Sequence, residues 1–246
     1  ISKANKNGII TTGQVGSRPI GVLMGFNTSV NPFSNHEAWK KIGDLSAKER
    51  NTIIKNNIDI RNSLINDIPK NAHTKWIEQT FSRTYLLKEP LNYEPTKEMS
   101  IISLASDLSK SPWEVILNHF TSSENDEFLM HTFENYSHNN LDVIAEMLES
   151  EYTICGVGDA GAHVATICDA SYPTFMVPFW SRDRKRGKLL NLEYLVSKQT
   201  LKTAQTYGLK DRGALLPGMR ADINIIDYDN IGLTKPSLSY DLPAGG

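Results

Sequence analysis

The stretch that most constrains this chain is Gly156-Val157-Gly158-Asp159-Ala160-Gly161-Ala162-His163-Val164. It follows Tyr152-Thr153-Ile154-Cys155, a short β-branched, apolar run that reads as a buried strand. Glycines then crowd around one aspartate. Glycine lets a backbone turn sharply or approach a neighbour closely. An acid at the tip of a buried strand, with a histidine four positions on, is a setting for catalysis or metal binding. The same letters also suit a plain strand-to-loop turn, with Asp159 as a turn or cap residue. The pattern alone leaves both readings open.

The flanking sequence supplies a frame for that acid. Ile9-Ile10-Thr11-Thr12 reads as a strand. A glycine-rich loop with Arg18 and Pro19 follows, placing polar groups just after a strand end. Ser46-Ala47-Lys48-Glu49 is a capping box opening a helix with Ile53, Ile54, Ile58, Leu64 and Ile65 on a rough helical spacing. A polar connection from about Asp67 to Pro95 is long for a structureless loop and has room for a short strand. Thr96 opens a helix carrying Ile101, Leu104, Ala105 and Leu108, and Ser111-Pro112-Trp113-Glu114 opens the next. Phe128–Phe133 reads as a strand. Asn139 or Asn140 caps a helix with Val143, Ile144, Met147 and Leu148, and the strand before Asp159 comes next. Strand, helix and strand alternate, which predicts parallel pairing through helical crossovers. Ile9–Thr12, Phe128–Phe133 and Tyr152–Val157 are therefore expected to be neighbouring parallel strands, with Gly13 and Asp159 at the same sheet end. Later, Asn191 caps a helix that ends at Gly208. Ala221–Asp227 alternates polar and apolar, as an antiparallel-type strand does.

Several blocks together resemble one enzyme family. Gly158–Val164 continued by Cys168-Asp169-Ala170-Ser171-Tyr172-Pro173, Gly13–Gly21, Asn31-Pro32-Phe33, Asn135-Tyr136-Ser137 with Asn140-Leu141-Asp142, and Arg212-Gly213 with Pro217–Asp222 occur in the order found in N-acyl-D-amino-acid deacylases. These D-aminoacylases are a branch of the amidohydrolase superfamily, and the resemblance runs along essentially the whole chain. It implies an α/β fold: the C-terminal part of a (β/α)8 TIM barrel, with part of a small flanking β-sandwich. Residues 1–208 would form the barrel part, with a covering insertion around 30–125, and residues 209–246 the sandwich part. It also implies that the chain is the C-terminal portion of a longer protein.

The resemblance implies a zinc-dependent hydrolase acting on the amide of a small N-acyl-D-amino acid. Asp159 matches the aspartate that shuttles protons after the eighth barrel strand, and it is also a candidate metal ligand. Gln14 falls where the sixth-strand ligand, ordinarily a histidine, is expected, and an amide is a weak zinc ligand. Arg18 is the first candidate for holding the substrate carboxylate, because guanidinium pairs with carboxylate in a two-pronged fashion. His163 is a further substrate-binding candidate. The six histidines, His36, His73, His119, His131, His138 and His163, show no tight zinc spacing. The remaining ligands would lie upstream of Ile1, so the chain by itself is expected to be inactive. The rival readings are another amidohydrolase substrate, such as a cyclic imide or dipeptide, and an inactive scaffold that self-associates.

Bulk properties exclude other classes. A net charge of −2 points to no nucleic-acid or membrane partner. The dense charge run Ser181–Lys188 reads as a solvated loop, with Arg182 or Arg184 the residues to reach an anionic substrate. No apolar run approaches the roughly 20 residues of a membrane span. Cys155 and Cys168 form no disulfide framework and suit a reducing cytoplasm. Cys155 sits in the apolar strand and reads as a small core residue.

Overall fold

The computed structural model describes residues 1–156, 158–159, 165–167 and 169–240. They are mixed α/β, with helices around two small sheets. The chain divides into two compact units.

The first unit comprises Ile1–Ile20, Glu134–Ala160 and Asp169–Thr234. Its sheet pairs β1 (Gly13–Val15) with β5 (Thr153–Cys155) in parallel, with Gly13 opposite Thr153 and Val15 opposite Cys155. The Gly156 amide extends the ladder to the Val15 carbonyl at 2.9 Å. The helix Asp142–Glu149 leads into β5 and buries Ile144, Ala145 and Leu148, the one-face spacing its sequence shows. Its first amide donates to Asn140 Oδ1 at 3.1 Å. Val15, Ile154, Tyr172, Phe175, Met176, Trp180 and Leu195 are among this unit's buried side chains.

The parallel pairing of the first and last expected strands is present, but β1 starts at Gly13, not Ile9. Ile9 and Ile10 are 62% and 94% exposed, so their β propensity has no surface to pack against. The segment after β1 is not one long loop either, because β2 (Ile20–Met24) forms within it.

The second unit comprises Gly21–Phe133, Gly161–Cys168 and Lys235–Gly246. Its sheet has the order β2–β4–β3, with β3 Thr84–Leu87 and β4 Phe128–Glu134. β3 and β4 are antiparallel, with Thr84 opposite His131 and Leu87 opposite Phe128. This corrects the expectation that Phe128–Phe133 pairs with the Asp159 strand. The described strands form two small sheets and not a closed barrel. The partner that won, Thr84–Leu87, lies in the connection read as mostly polar. That connection also holds the helix Ala72–Thr80.

Local signals are obeyed more closely. Ser46 and Glu49 form the reciprocal capping box of the helix Ala47–Asn56. Ser111 Oγ accepts the Glu114 amide at 3.1 Å, with Pro112 at the first helical turn of Pro112–Phe120. The long helix expected after Ser46 breaks at Asn57, whose ψ of 102° is extended and whose side chain caps a new helix, Ile58–Asn66. Asn31-Pro32-Phe33 is a structural turn: Asn31 Oδ1 accepts the Phe33 amide at 2.8 Å, and its Nδ2 donates to the Phe26 carbonyl at 3.0 Å. Around it Phe26, Phe33, Trp39, Trp113 and Phe120 form an aromatic core.

Gly21 in β2 is required by close backbone approach. A Cβ there would lie 2.0 Å from the His131 carbonyl oxygen, a backbone atom that cannot swing away. Gly21→Ala is expected to destabilise this unit by about 2–3 kcal/mol, at the upper end of overpacking costs. Equilibrium urea unfolding of both proteins checks this; an unchanged midpoint would contradict it.

Residues 209–240 contain no strand among those described. The alternation in Ala221–Asp227 is real, but alternation needs a neighbouring strand to become a sheet. Ile223 is 60% and Ile225 99% exposed. No helix among the described residues is long and apolar enough to cross a membrane.

Candidate functional site

The candidate site is built on the first unit, at the C-terminal end of β5. Parallel pairing puts the C-terminal ends Val15 and Cys155 side by side, with Asp159 four residues beyond Cys155; Gly13 lies opposite Thr153 at the other end of the sheet, which corrects the expectation that Gly13 and Asp159 share a sheet end. Gln14 is exposed, and its amide lies over Gly156. A Cβ on Gly156 would meet Gln14 Oε1 at 2.8 Å and Gln14 Cβ at 3.3 Å, so glycine there leaves room for the amide. Asp159 is exposed to solvent, as a residue that meets a substrate must be. His163, with the rest of residues 160–164, lies outside the described residues.

Arg18 is not open to solvent. It is 3% exposed, with Nη2 3.8 Å from Asp169 Oδ1. Its guanidinium lies over the Tyr172 ring at 4.8 Å and the Phe175 ring at 5.8 Å, the geometry of cation–π contacts. The other carboxylate oxygen, Asp169 Oδ2, accepts the backbone N–H of Asp159 at 3.2 Å. A buried acid thus bridges the guanidinium and the backbone of the exposed acid. Burial pushes the Asp169 carboxyl upward, against the lowering effects of the Asp159 amide and the Arg18 charge; the neighbouring Asp159 carboxylate adds to the rise.

The loop that carries Arg18 is fastened on both sides. Ser17 Oγ donates to the Tyr172 carbonyl at 3.1 Å, and the Trp180 indole N–H donates to the Ser17 carbonyl at 2.7 Å. Behind β5, the Lys198 ammonium donates to the carbonyls of Ser150 (2.8 Å) and Thr153 (2.6 Å) and to Thr153 Oγ1 (3.0 Å). Burial brings the Lys198 ammonium down to about 8. Cys155 is a free thiol whose pKa burial pushes up to about 11, so it stays protonated at neutral pH and is a poor nucleophile.

The charge run is only partly solvated. Arg184 has a fully buried side chain, 2.6 Å from Asp142 Oδ1 and stacked on Trp180 at 4.9 Å. Arg182 pairs with Asp183 and donates to the Tyr228 and Ile231 carbonyls. Both arginines read as substrate anchors in the sequence are engaged within the chain.

A zinc ion implied by the resemblance needs about three or four nitrogen, sulfur or oxygen ligands at one point. Among the described residues no group of three or more His, Cys, Asp and Glu side chains is placed to hold a metal. Asp159 offers one carboxylate and Gln14 a neutral amide. The two do not make a zinc-binding set.

Asp169 is the residue that sequence reasoning passed over. It lies in the Cys168–Pro173 block of the resemblance, but nothing in the letters distinguishes a buried acid from an exposed one. The comparisons bear on the class of chemistry. Searches among curated proteins and among solved structures return no match. The sequence model of the Amidohydrolase family matches residues 100–244, more than half of the chain, including β5, Asp159 and Asp169. The chain therefore belongs to the Amidohydrolase family.

Proposed function

We propose that this chain is the C-terminal portion of a zinc-dependent amidohydrolase, of (β/α)8-barrel type, that hydrolyses the amide of N-acyl-D-amino acids. The observation that carries the reading is the placement of Asp159: an exposed carboxylate, within a family match, just past a buried parallel strand and tied by its backbone to a buried acid. The family supports hydrolysis, and the motif order around Asp159 supports the acylamide substrate.

Amide hydrolysis needs a water made nucleophilic and a proton delivered to the leaving amine. In the proposed step the Asp159 carboxylate accepts one proton from water as the water oxygen bonds to the acyl carbon. The protonated Asp159 then gives that proton to the amide nitrogen as the C–N bond breaks. The second water proton, left on the new carboxylic acid, passes to the amine, so a carboxylate and an ammonium leave and Asp159 returns to its starting charge. Zinc, when bound, would supply Lewis-acid polarisation of the carbonyl. Its ligands would have to come from beyond the pair Asp159 and Gln14. Arg18, committed here to Asp169, is assigned to bracing the site; His163 keeps its proposed place against the substrate.

The substrate class is tested on the full-length parent protein by following amine release from N-acetyl-D-amino acids, their L isomers, a cyclic imide and a dipeptide. The expected result is hydrolysis of the D acyl amides, at least tenfold above the L isomers. Preference for the imide or the dipeptide would replace the substrate and keep the family.

The exposure of Ile10 (94%), Leu215 (76%) and Ile225 (99%) favours self-association as a second reading. Sedimentation velocity, with turnover measured on the full-length parent protein, decides it: a homo-oligomer whose parent turns over no acyl amide supports a scaffold role.

A further inference from the structure

We propose that Asp169 is a positioning residue for Asp159, holding its backbone through a charged acceptor that Arg18 braces. The inference rests on the reading of Asp159 as the proton-transferring carboxylate. The geometric part stands without it.

Asp169 is 7% exposed, so its carboxylate is largely cut off from water. A buried carboxylate is costly unless its oxygens find donors or a cation. One oxygen takes the Asp159 N–H at 3.2 Å; the other faces Arg18 Nη2 at 3.8 Å. Arg18 is itself held over the Tyr172 and Phe175 rings. The Arg18 loop is tied down through Ser17 to Tyr172 and Trp180. The far end of this chain is therefore rigid, and its near end is the backbone of an exposed acid. Hydrogen bonds to a charged acceptor are roughly twice as strong as neutral ones. Asp169 thereby links two positions ten residues apart and holds the backbone at Asp159. Gly158 packs against Asp169: a Cβ there would sit 3.4 Å from the Asp169 carbonyl oxygen and 3.8 Å from its Cβ, ordinary contact distances. A carboxylate that must meet a water within hydrogen-bond reach gains from a fixed backbone, because misplacement by about 1 Å costs on the order of a hundredfold in rate.

The test uses Asp169→Ala and Asp169→Asn, with two readouts. Amide hydrogen exchange at Asp159 reports the hydrogen bond and needs no turnover. Asp169→Ala removes the acceptor, and exchange at Asp159 is expected to speed up at least tenfold while most core amides keep their protection. Asp169→Asn retains a carbonyl oxygen in place and is expected to restore most of that protection. In the hydrolysis assay on the full-length parent protein Asp169→Ala should lower kcat about tenfold or more with KM within about twofold, and Asp169→Asn should recover most of kcat. A purely structural role would instead lower protection across the whole unit in both variants. Unchanged Asp159 exchange in Asp169→Ala overturns the proposal. Normal kcat in Asp169→Ala with Asp159→Asn inactive also overturns it while leaving the catalytic reading intact. Normal turnover in Asp159→Asn defeats the catalytic reading, and the exchange data then decide the hydrogen bond alone.

Discussion

In the full-length parent protein, Asp159→Asn lowers the turnover of N-acyl amide hydrolysis by roughly a hundredfold or more, the usual scale of lost acid–base catalysis. Asparagine keeps the shape of aspartate and part of its hydrogen bonding, but it cannot accept the water's proton as a carboxylate does. The fold is expected to survive. Asp159 is exposed, and its tie to Asp169 runs through its backbone N–H, which the substitution leaves in place. KM is expected to change much less than kcat, because the lost interaction belongs to the transition state. Metal content of both proteins separates the two roles of Asp159. A variant that loses metal and activity together identifies Asp159 chiefly as a ligand. A folded, metal-matched variant with near-normal kcat removes it from the mechanism.

The second large effect is acid lability of the unit that holds residues 21–133. His36 is 1% exposed between Phe33 and Trp113, with ring centroids 5.2 and 4.9 Å away. His131 is 6% exposed, with Nδ1 3.2 Å from both Thr84 Oγ1 and the Arg83 carbonyl oxygen. Burial lowers each from its ordinary value of 6.5 to about 4. Burial also lowers His119, whose Nε2 lies 2.9 Å from the Phe128 carbonyl oxygen. The folded chain keeps these rings neutral while the unfolded chain protonates them first. Stability from this source is therefore complete above about pH 6.5 and is lost as the pH falls through the window down to about 4. His36 and His131 each account for about 3 kcal/mol at the acid end. Against a total of roughly 5–15 kcal/mol for a domain, that is a large share. Urea unfolding at pH 7.0, 6.0 and 5.0, followed by tryptophan fluorescence, should show the midpoint falling at each step. His36→Phe, which keeps an aromatic ring in the aromatic core, should flatten part of the fall. A midpoint independent of pH across this range would contradict the account.

What the sequence made legible was local. The caps at Ser46, Ser111 and Asn191 were readable because a side-chain oxygen and an amide two or three residues on determine them. β5 was readable because its run is short, apolar and followed by glycine. Strand partners were less so. β4 chose Thr84–Leu87, a pairing that depends on contacts more than forty residues apart. Ala221–Asp227 has the right alternation and lacks a neighbour, so propensity came to nothing there. Asn57 split one helix into two because its side chain satisfies free amides better as a cap than as a helix interior residue. At the site, the position of Asp159 after a strand was legible. The burial of Arg18 and its partnership with Asp169 were not, since the letters do not say which charges face inward.

The central claim is that the chain belongs to an enzyme whose site cleaves an acyl amide with water. The most direct measurement incubates the full-length parent protein with an N-acetyl-D-amino acid in oxygen-labelled water and follows both products. The account predicts equal release of the free D-amino acid and acetate, with one solvent oxygen in the acetate. Folded, metal-supplied parent protein that releases neither product, or that transfers the acetyl group without incorporating solvent oxygen, would contradict it.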